Sequence, residues 1–474
     1  MKGFGEQHKS KNKSIKKSKL SKEQIINQAF KLHSQGKVLE ASEYYQYFID
    51  QGFKDHRIFS NYGQILQNLG NLQDAEILTR KAIALDPENA MSHSNLGGIL
   101  KNLCKLHDAE ISTRKAIALD PNFAMAQLNL GSILIDLGKL NDAEISTRKA
   151  IALDPNFAMA QSNLGNILID LGKVKELILL SNSRFKLRSN NQGDTLEASI
   201  QLMIANLLQR NFSATLMNIN QTNKLLSQGA INNINNEKKR NHLSTFASFI
   251  NSLYPLLEKK DKNPNIETIP HFGESHCLSF AHQTLSLSSE LTQIQPVLIT
   301  GGKAWHFANK KTNKWKDSLT QQMKNHNYSN KVFISFGEID CRKDEGILKY
   351  VTTKDNDISK VCEETIYGYL NHMEITLSQN YSKRYYFGIP APQKPKELID
   401  KLDIKRIDML KIYNSLLKKE VLARGCYFLD VYELTSRKDG MNNNIHMCDD
   451  THLSPKCLSI LFENHLYKPQ NFIQ

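Results

Sequence analysis

A period of 34 residues runs through the first third of the chain and leaves it few folds to adopt. Leu-Asp-Pro stands at 85–87, 119–121 and 153–155. Gly63, Gly97, Gly131 and Gly165 keep the same step, as do Ala75, Ala109 and Ala143. One step back lie Ala29 and Ala41, so a divergent first copy begins near Ser21. The last copy starts at Phe157 and loses the pattern after Val174, as an end repeat does when it must turn a polar face to water. In the third copy, Ala90 to Leu103 and Asp108 to Leu119 carry apolar residues at helical spacing, parted by Lys105-Leu106-His107. Asp120-Pro121 stops the second helix, because a proline ring disfavours helical backbone at the residue before it. The small residues Gly97 and Ala109 let the two helices come close. This repetition predicts an α-solenoid over residues 21–190, with about five helical pairs.

A 34-residue helix–turn–helix unit of this kind resembles the tetratricopeptide repeat. The resemblance implies a superhelix whose concave groove binds a protein or peptide. Asparagine recurs two residues before each glycine, at Asn61, Asn95, Asn129 and Asn163. A carboxamide both donates and accepts, so a row of them can pair with an extended peptide whatever its side chains. The row resembles the asparagine ladder of O-linked N-acetylglucosamine transferases, which implies a peptide-binding ladder here. Two other readings stand beside it. The asparagines can satisfy neighbouring repeats, or be inherited by duplication, given the near-identical text of the third and fourth copies.

The chain is 474 residues long, which sets an expectation of about three domains. Its formal net charge of +13 raises the question of nucleic acid. Much of the excess sits in the first residues and in Lys/Asn-rich loops such as Lys238-Lys239-Arg240. No basic stripe with interleaved aromatics accompanies it, so no specific nucleic-acid partner is expected. Residues 1–20 read as a disordered basic tail without the apolar core of a secretory signal. No apolar run nears the roughly 18 residues that a membrane span needs. The seven cysteines (104, 277, 341, 362, 426, 448 and 457) are scattered and odd in number. They imply no disulfide framework, and a reducing, cytoplasmic setting is expected. Residues 191–265 carry helical stretches separated by Asn-rich text, read as a connector that caps the solenoid.

From Ile266 the periodicity changes. Ile266–Phe272, Val297–Thr300, Lys331–Phe336, Arg384–Ile389 and Tyr427–Val431 read as strands. Leu278–Ser288, Ile358–Leu377 and Ile407–Ala423 read as helices. Such alternation predicts an α/β three-layer domain over residues 266–470, with a mainly parallel, flavodoxin-like sheet and helices on both faces. Ligands of such sheets bind beyond the carboxyl ends of the strands, which directs attention to Gly273–His276, Gly301–His306, Gly337–Arg342 and the segment after the last strand.

At the first of these places stands Gly273-Glu274-Ser275, a glycine turn leading a serine into a helix-like pattern. Ser275 is placed to be an ordinary helix cap, the reading this stretch alone favours, or a nucleophile near unpaired backbone N–H groups. Near the far end lies Asp449-Asp450-Thr451-His452-Leu453. The Asp-x-x-His spacing lets a carboxylate reach imidazole Nδ1 and leave Nε2 toward a nucleophile.

These blocks together resemble the SGNH (GDSL-like) hydrolase family. The resemblance implies Ser275 as nucleophile, His452 as general base and Asp449 as its orienting partner. It also implies an oxyanion N–H at Gly302, less surely at Gly301, and substrate contacts from Gly337, Glu338, Asp340 and Arg342. Members are esterases, lipases and acetyl-transferring or deacetylating enzymes, several of them acting on carbohydrate O-acetyl groups. The implied substrate is an acylated small molecule or glycan, with no cofactor.

Two departures qualify the resemblance. The family's Asp before the serine is Glu274 here, a mild change. The family's Gly-x-Asn-Asp is Gly337-Glu338-Ile339-Asp340, so Ile339 replaces the asparagine whose amide completes the oxyanion hole. Losing one such donor costs about 10²–10³ in rate. Either activity is weakened, or Arg342 or Lys303 supplies the missing charge, or the domain is a degenerate, non-catalytic part of a scaffold. Glu338, Asp340 and Arg342 read equally well as a salt-bridge set at a strand end. His446, Cys448, Asp449, Asp450 and His452 are metal-capable types within seven positions; none of the zinc spacings fits them, and no metal is expected. Trp305, His306 and Tyr367 are candidates to line a pocket, with core packing expected for Trp305.

Overall fold

The structure is a computed structural model that describes residues 20–186, 191–259, 265–287, 289–326, 329–354, 356–394 and 399–469. The expected basic tail lies outside the described residues, Leu20 excepted. The chain forms two compact units that divide between Ile133 and Leu134. The last helical pairs and the connector therefore belong to the same unit as the sheet.

The first unit is built of helical pairs: Lys22–Ser34 with Val38–Asp50, His56–Asn68 with Leu72–Leu85, and Ala90–Asn102 with Leu106–Leu119. Ser21 opens the first helix by accepting the Gln24 N–H on its hydroxyl, while the Gln24 side chain accepts the Ser21 N–H. Ile25, Ile26, Tyr45, Phe48, Ile58 and Ile65 form its core. A Cβ at Gly97 would stand 2.0 Å from Thr113 Oγ1 and 3.2 Å from the Ala109 carbonyl. The repeating glycine is there because the paired helices leave no room for more.

The helix Ala124–Asp136 spans the division. In the second unit, helices Leu140–Leu153, Ala158–Asp170, Val174–Lys186, Gln192–Leu208, Phe212–Ser227 and Glu237–Leu253 precede the sheet. Their apolar faces share a core with Cys277, Leu278 and Leu298 at the sheet's end. The helix Lys314–Asn325 is tied to the last repeat: Ser318 Oγ donates to the Asp170 carbonyl at 2.6 Å.

The sheet has seven strands: β1 (Glu267–Gly273), β2 (Thr284–Leu287), β3 (Glu290–Leu298), β4 (Lys331–Ser335), β5 (Lys383–Phe387), β6 (Tyr427–Leu429) and β7 (Leu466–Tyr467). Their order is β2-β3-β1-β4-β5-β6-β7, with the five central strands parallel and both edge strands antiparallel. Alternate side chains enter separate cores, Phe272, Ile334 and Tyr386 in one and Ile269, Phe333, Tyr385 and Phe387 in the other. A sheet buried on both faces explains the short continuous apolar runs.

The sheet is thus mixed, and one expected helix is absent. Residues 278–287 of that stretch form the end of a 3₁₀ turn, Ser275–Phe280, followed by β2; Ser288 lies outside the described residues. His282 takes a left-handed φ of 62° and its N–H donates to the Ile294 carbonyl, turning the chain back onto β3. A short apolar run does not by itself distinguish strand from helix. Among the described residues, no helix is long and apolar enough to cross a membrane.

Candidate active site

β1 is central and ends at Gly273. A Cβ there would stand 2.3 Å from Ser335 Oγ and 2.9 Å from the Ser335 carbonyl of β4. Only glycine lets the strands stay this close while the chain turns out of the sheet. Ser275 is the first residue of the 3₁₀ turn, at the carboxyl end of β1.

His452 reaches it from a hairpin closed by the Met447–Leu453 bridge and by the Cys448 N–H donating to the His452 carbonyl at 2.9 Å. His452 Nε2 lies 2.8 Å from Ser275 Oγ. Its Nδ1 lies 2.8 Å from Asp449 Oδ2, and Asp449 Oδ1 accepts the backbone N–H groups of Thr451 and His452 at 2.8 and 2.7 Å. The Asp-x-x-His spacing works through this carboxylate-nucleated turn. A carboxylate only accepts, so Nδ1 carries the hydrogen and Nε2 offers its lone pair to the serine.

Burial favours neutral His452 and outweighs the opposing pull of Asp449, holding its pKa below the ordinary histidine value. For Asp449, burial acts upward, but the bonds from His452 and Thr451 prevail and hold its carboxyl below the usual range. A neutral imidazole backed by a carboxylate can take a proton at neutral pH.

The connector contributes a residue that sequence reasoning missed. The Phe249 ring stacks on His452, centroids 3.6 Å apart at 17°, from the helix Glu237–Leu253. It lies in a stretch read only as part of a helical connector, and nothing local linked it to an imidazole 203 positions onward. Phe249→Ala is expected to cost about 3–5 kcal/mol and to raise the His452 pKa toward its ordinary value as water enters. A histidine-resolved NMR titration checks the shift, and an unmoved pKa contradicts it.

A second set of charges lies beside the serine. Ser275 Oγ is 2.7 Å from Glu274 Oε2, and His276 Nδ1 is 2.5 Å from Glu274 Oε1. Arg342 pairs with Glu338 at 2.7 Å. Ligand atoms of Glu274, His276 and Glu338 lie within 4.8 Å of one another, the one such group among the described residues. Arg342 and a protonated His276 already balance the two carboxylates, so the set needs no ion. The residues around Cys448 do not form such a group; Asp449 and His452 are engaged with each other.

Other expected site residues fall elsewhere. The Gly302 N–H donates to the Ile299 carbonyl at 3.0 Å and so closes a turn. A Cβ on Gly302 would meet Phe336 at 2.9 Å, so packing explains the glycine. Asp340 is wholly buried, its oxygens accepting the N–H groups of Ala304 and Trp305 at 2.7 and 3.1 Å. It caps the short helix Ala304–Ala308, and burial pushes its carboxyl up to about 7. Gly337 is also buried, with a left-handed φ of 122° under Tyr413. Ile339 is buried and brings no donor. Trp305 is 40% exposed against Tyr350, His306 stacks on Trp315, and Tyr367 is exposed.

The asparagine row also changes meaning. Asn95 donates to Ser60 Oγ at 3.2 Å and Asn129 to Ser94 Oγ at 3.0 Å, each reaching the preceding repeat, while Asn61 bonds the Tyr45 side chain. These carboxamides tie neighbouring repeats together. In the fourth copy Leu128 replaces the serine, and Asn163 lines a cavity of about 410 Å³ instead. Asn166 of the same helix, His242 and Phe246 of the connector, Gly301 after β3, and Trp315 close it.

Residues 56–89 and 126–157 match the family model described as tetratricopeptide repeat. Among solved structures, the chain is similar to TTC0263, a thermophilic TPR protein of Thermus thermophilus, at 16% identity over 38% of this chain and 99% of that one, TM-score 0.35. It is similar to MamA of Desulfovibrio magneticus at 22% identity over 36% and 97%, TM-score 0.32. YrrB, a TPR protein with an unusual peptide-binding site, matches at 18% identity over 43% and 99%, TM-score 0.33. No curated protein sequence matches the chain.

Proposed function

We propose that the tetratricopeptide repeats of this chain dock a protein or peptide partner, and that its C-terminal region is an SGNH-type serine ester hydrolase or O-acyl transferase. The observation that carries the enzymatic half is the unbroken path Asp449–His452–Ser275, with 2.8 Å at each step. His452 Nε2 takes the serine proton as Oγ attacks the acyl carbonyl, and Asp449 stabilises the imidazolium. The carbonyl electrons move to an oxyanion facing the first-turn N–H of Ser275. Collapse expels the alkoxide, which takes the proton from His452. Water or an acceptor hydroxyl then attacks the acyl-enzyme, with His452 again as base.

The substrate is an acylated small molecule or glycan, and the pocket that borders the serine turn is lined by Glu274, His276, Phe336, Glu338 and Leu453.

A scaffold reading rests on a different observation: Ile339 brings no amide and the Gly302 N–H is spent on Ile299. A fluorophosphonate probe, which reacts with an activated serine, separates the two. Stoichiometric labelling at Ser275 is expected. A chain left unlabelled is a scaffold.

A further inference from the structure

His276 is placed to hold together two segments that are far apart in sequence. Its Nδ1 lies 2.5 Å from Glu274 Oε1, and its Nε2 lies 3.1 Å from the carbonyl of Thr451. Thr451 is in the turn that presents His452; Glu274 precedes the serine and touches its hydroxyl. A carboxylate and a carbonyl both only accept, so both ring nitrogens carry hydrogen. The two turns meet through this ring as well as through the reacting atoms.

We propose that His276 is a positioning residue for the ester chemistry, a strap that fixes the Ser275 turn against the His452 turn by donating from both ring nitrogens. The proposal rests on the hydrolase reading. It addresses a specific difficulty, namely that Ser275 Oγ lies near both Glu274 Oε2 and His452 Nε2 but has one hydrogen to give. The hydroxyl is competent when that hydrogen points at His452. By engaging the other oxygen of Glu274, His276 draws the carboxylate's charge away from the serine and favours that arrangement.

The groups facing His276 are Glu274 on its own turn, His271 of β1, Glu338 beyond β4 with Arg342 behind it, and His452, whose ring centroid is 4.7 Å away, with Asp449 behind that. Burial disfavours the charged ring, and Glu274, with Glu338 and the Thr451 carbonyl, overrides it. The strap is therefore cationic at neutral pH. On losing a proton, the ring has one N–H for two acceptors and must release either Glu274 or Thr451.

The test follows hydrolysis of p-nitrophenyl acetate and fluorophosphonate labelling by the full chain, as wild type and as His276→Gln. In the wild type both rates are expected to fall above a pH of about 9, the value to which His276 is raised. The variant is expected to lose that alkaline limb and to lower kcat by about 10- to 100-fold, the cost of a misplaced reacting group, with KM little changed. A residue that served only to hold the fold would leave the limb where it was. A variant with wild-type kcat, or one that keeps the limb, overturns the proposal. If the variant does not fold, the wild-type profile decides alone: a level rate through the alkaline range overturns the strap. A wild type that labels at Ser275 without an alkaline limb sinks the strap and leaves the hydrolase reading standing. One that never labels removes both.

Discussion

Ser275→Ala is expected to lower hydrolysis of a short p-nitrophenyl ester by about 10⁴-fold or more, because the members of such a set act as one unit and removing the nucleophile removes nearly all of their effect. The fold should survive. The serine is half-buried and its loss leaves no apolar cavity. It does leave His452 Nε2 and Glu274 Oε2 short of a partner, a cost of about 1–3 kcal/mol. Circular dichroism and the melting curve control for this, and an alanine variant that keeps wild-type turnover removes the mechanism. The pH profile of the wild type gives a second reading of the same chemistry. His452 must be unprotonated to act as a base, and burial holds its pKa below the ordinary histidine value. The rate should therefore hold through neutral pH and fall only on acidification below about 6.5, the unperturbed value. An acid limb centred above that value contradicts the burial argument.

Local text was enough to read the repeats, because a 34-residue period states the same packing problem over and over, and small residues recur wherever two helices touch. The serine turn and the Asp-x-x-His hairpin were legible for a related reason: the geometry of each is set within a few residues. What was not legible depends on long separations. Phe249 meets His452 only because the connector packs on the end of the sheet, and His276 meets Thr451 across 175 positions of sequence. The edge strand β2 was lost in an apolar run whose pairing partner, β3, gives it its identity. Asp340 was read as a site residue from its place after β4, yet what fixes its role is a backbone 35 positions upstream whose N–H groups need a cap. The asparagine row shows the same limit from the other side. Its regularity was plain, but whether the carboxamides face a guest or the next repeat depends on Ser60 and Ser94 lying opposite them.

Glu197→Ala is expected to produce a large loss of stability in the second unit, of the same order as Phe249→Ala. Glu197 is 2% exposed on the helix Gln192–Leu208. Its carboxylate takes Arg184 at 3.1 Å, Lys239 at 3.0 Å and the Ser162 hydroxyl at 2.7 Å. Arg184 is itself buried, so removing Glu197 strands a guanidinium away from water. Breaking a buried pair in this way costs about 3–5 kcal/mol, whereas replacing both partners by apolar residues of similar volume is often close to neutral. The double variant Glu197→Leu with Arg184→Met should therefore recover most of the loss. Burial acts to raise the Glu197 pKa, but Arg184 and Lys239 prevail and hold it below the usual value. A depressed folded pKa gives stability that is present above the unfolded value and lost as pH falls through the folded one, so the penalty of the alanine variant should shrink in acid. Lys239 sits on the helix that presents Phe249 to His452, so the same variant should also reduce Ser275 labelling. Urea unfolding followed by the fluorescence of Trp315, which lines the adjoining cavity, reads the change directly. A shift below about 1 kcal/mol, or a double variant no better than the single, means that Arg184 is not held by this pair and that the junction is stabilised by its apolar core.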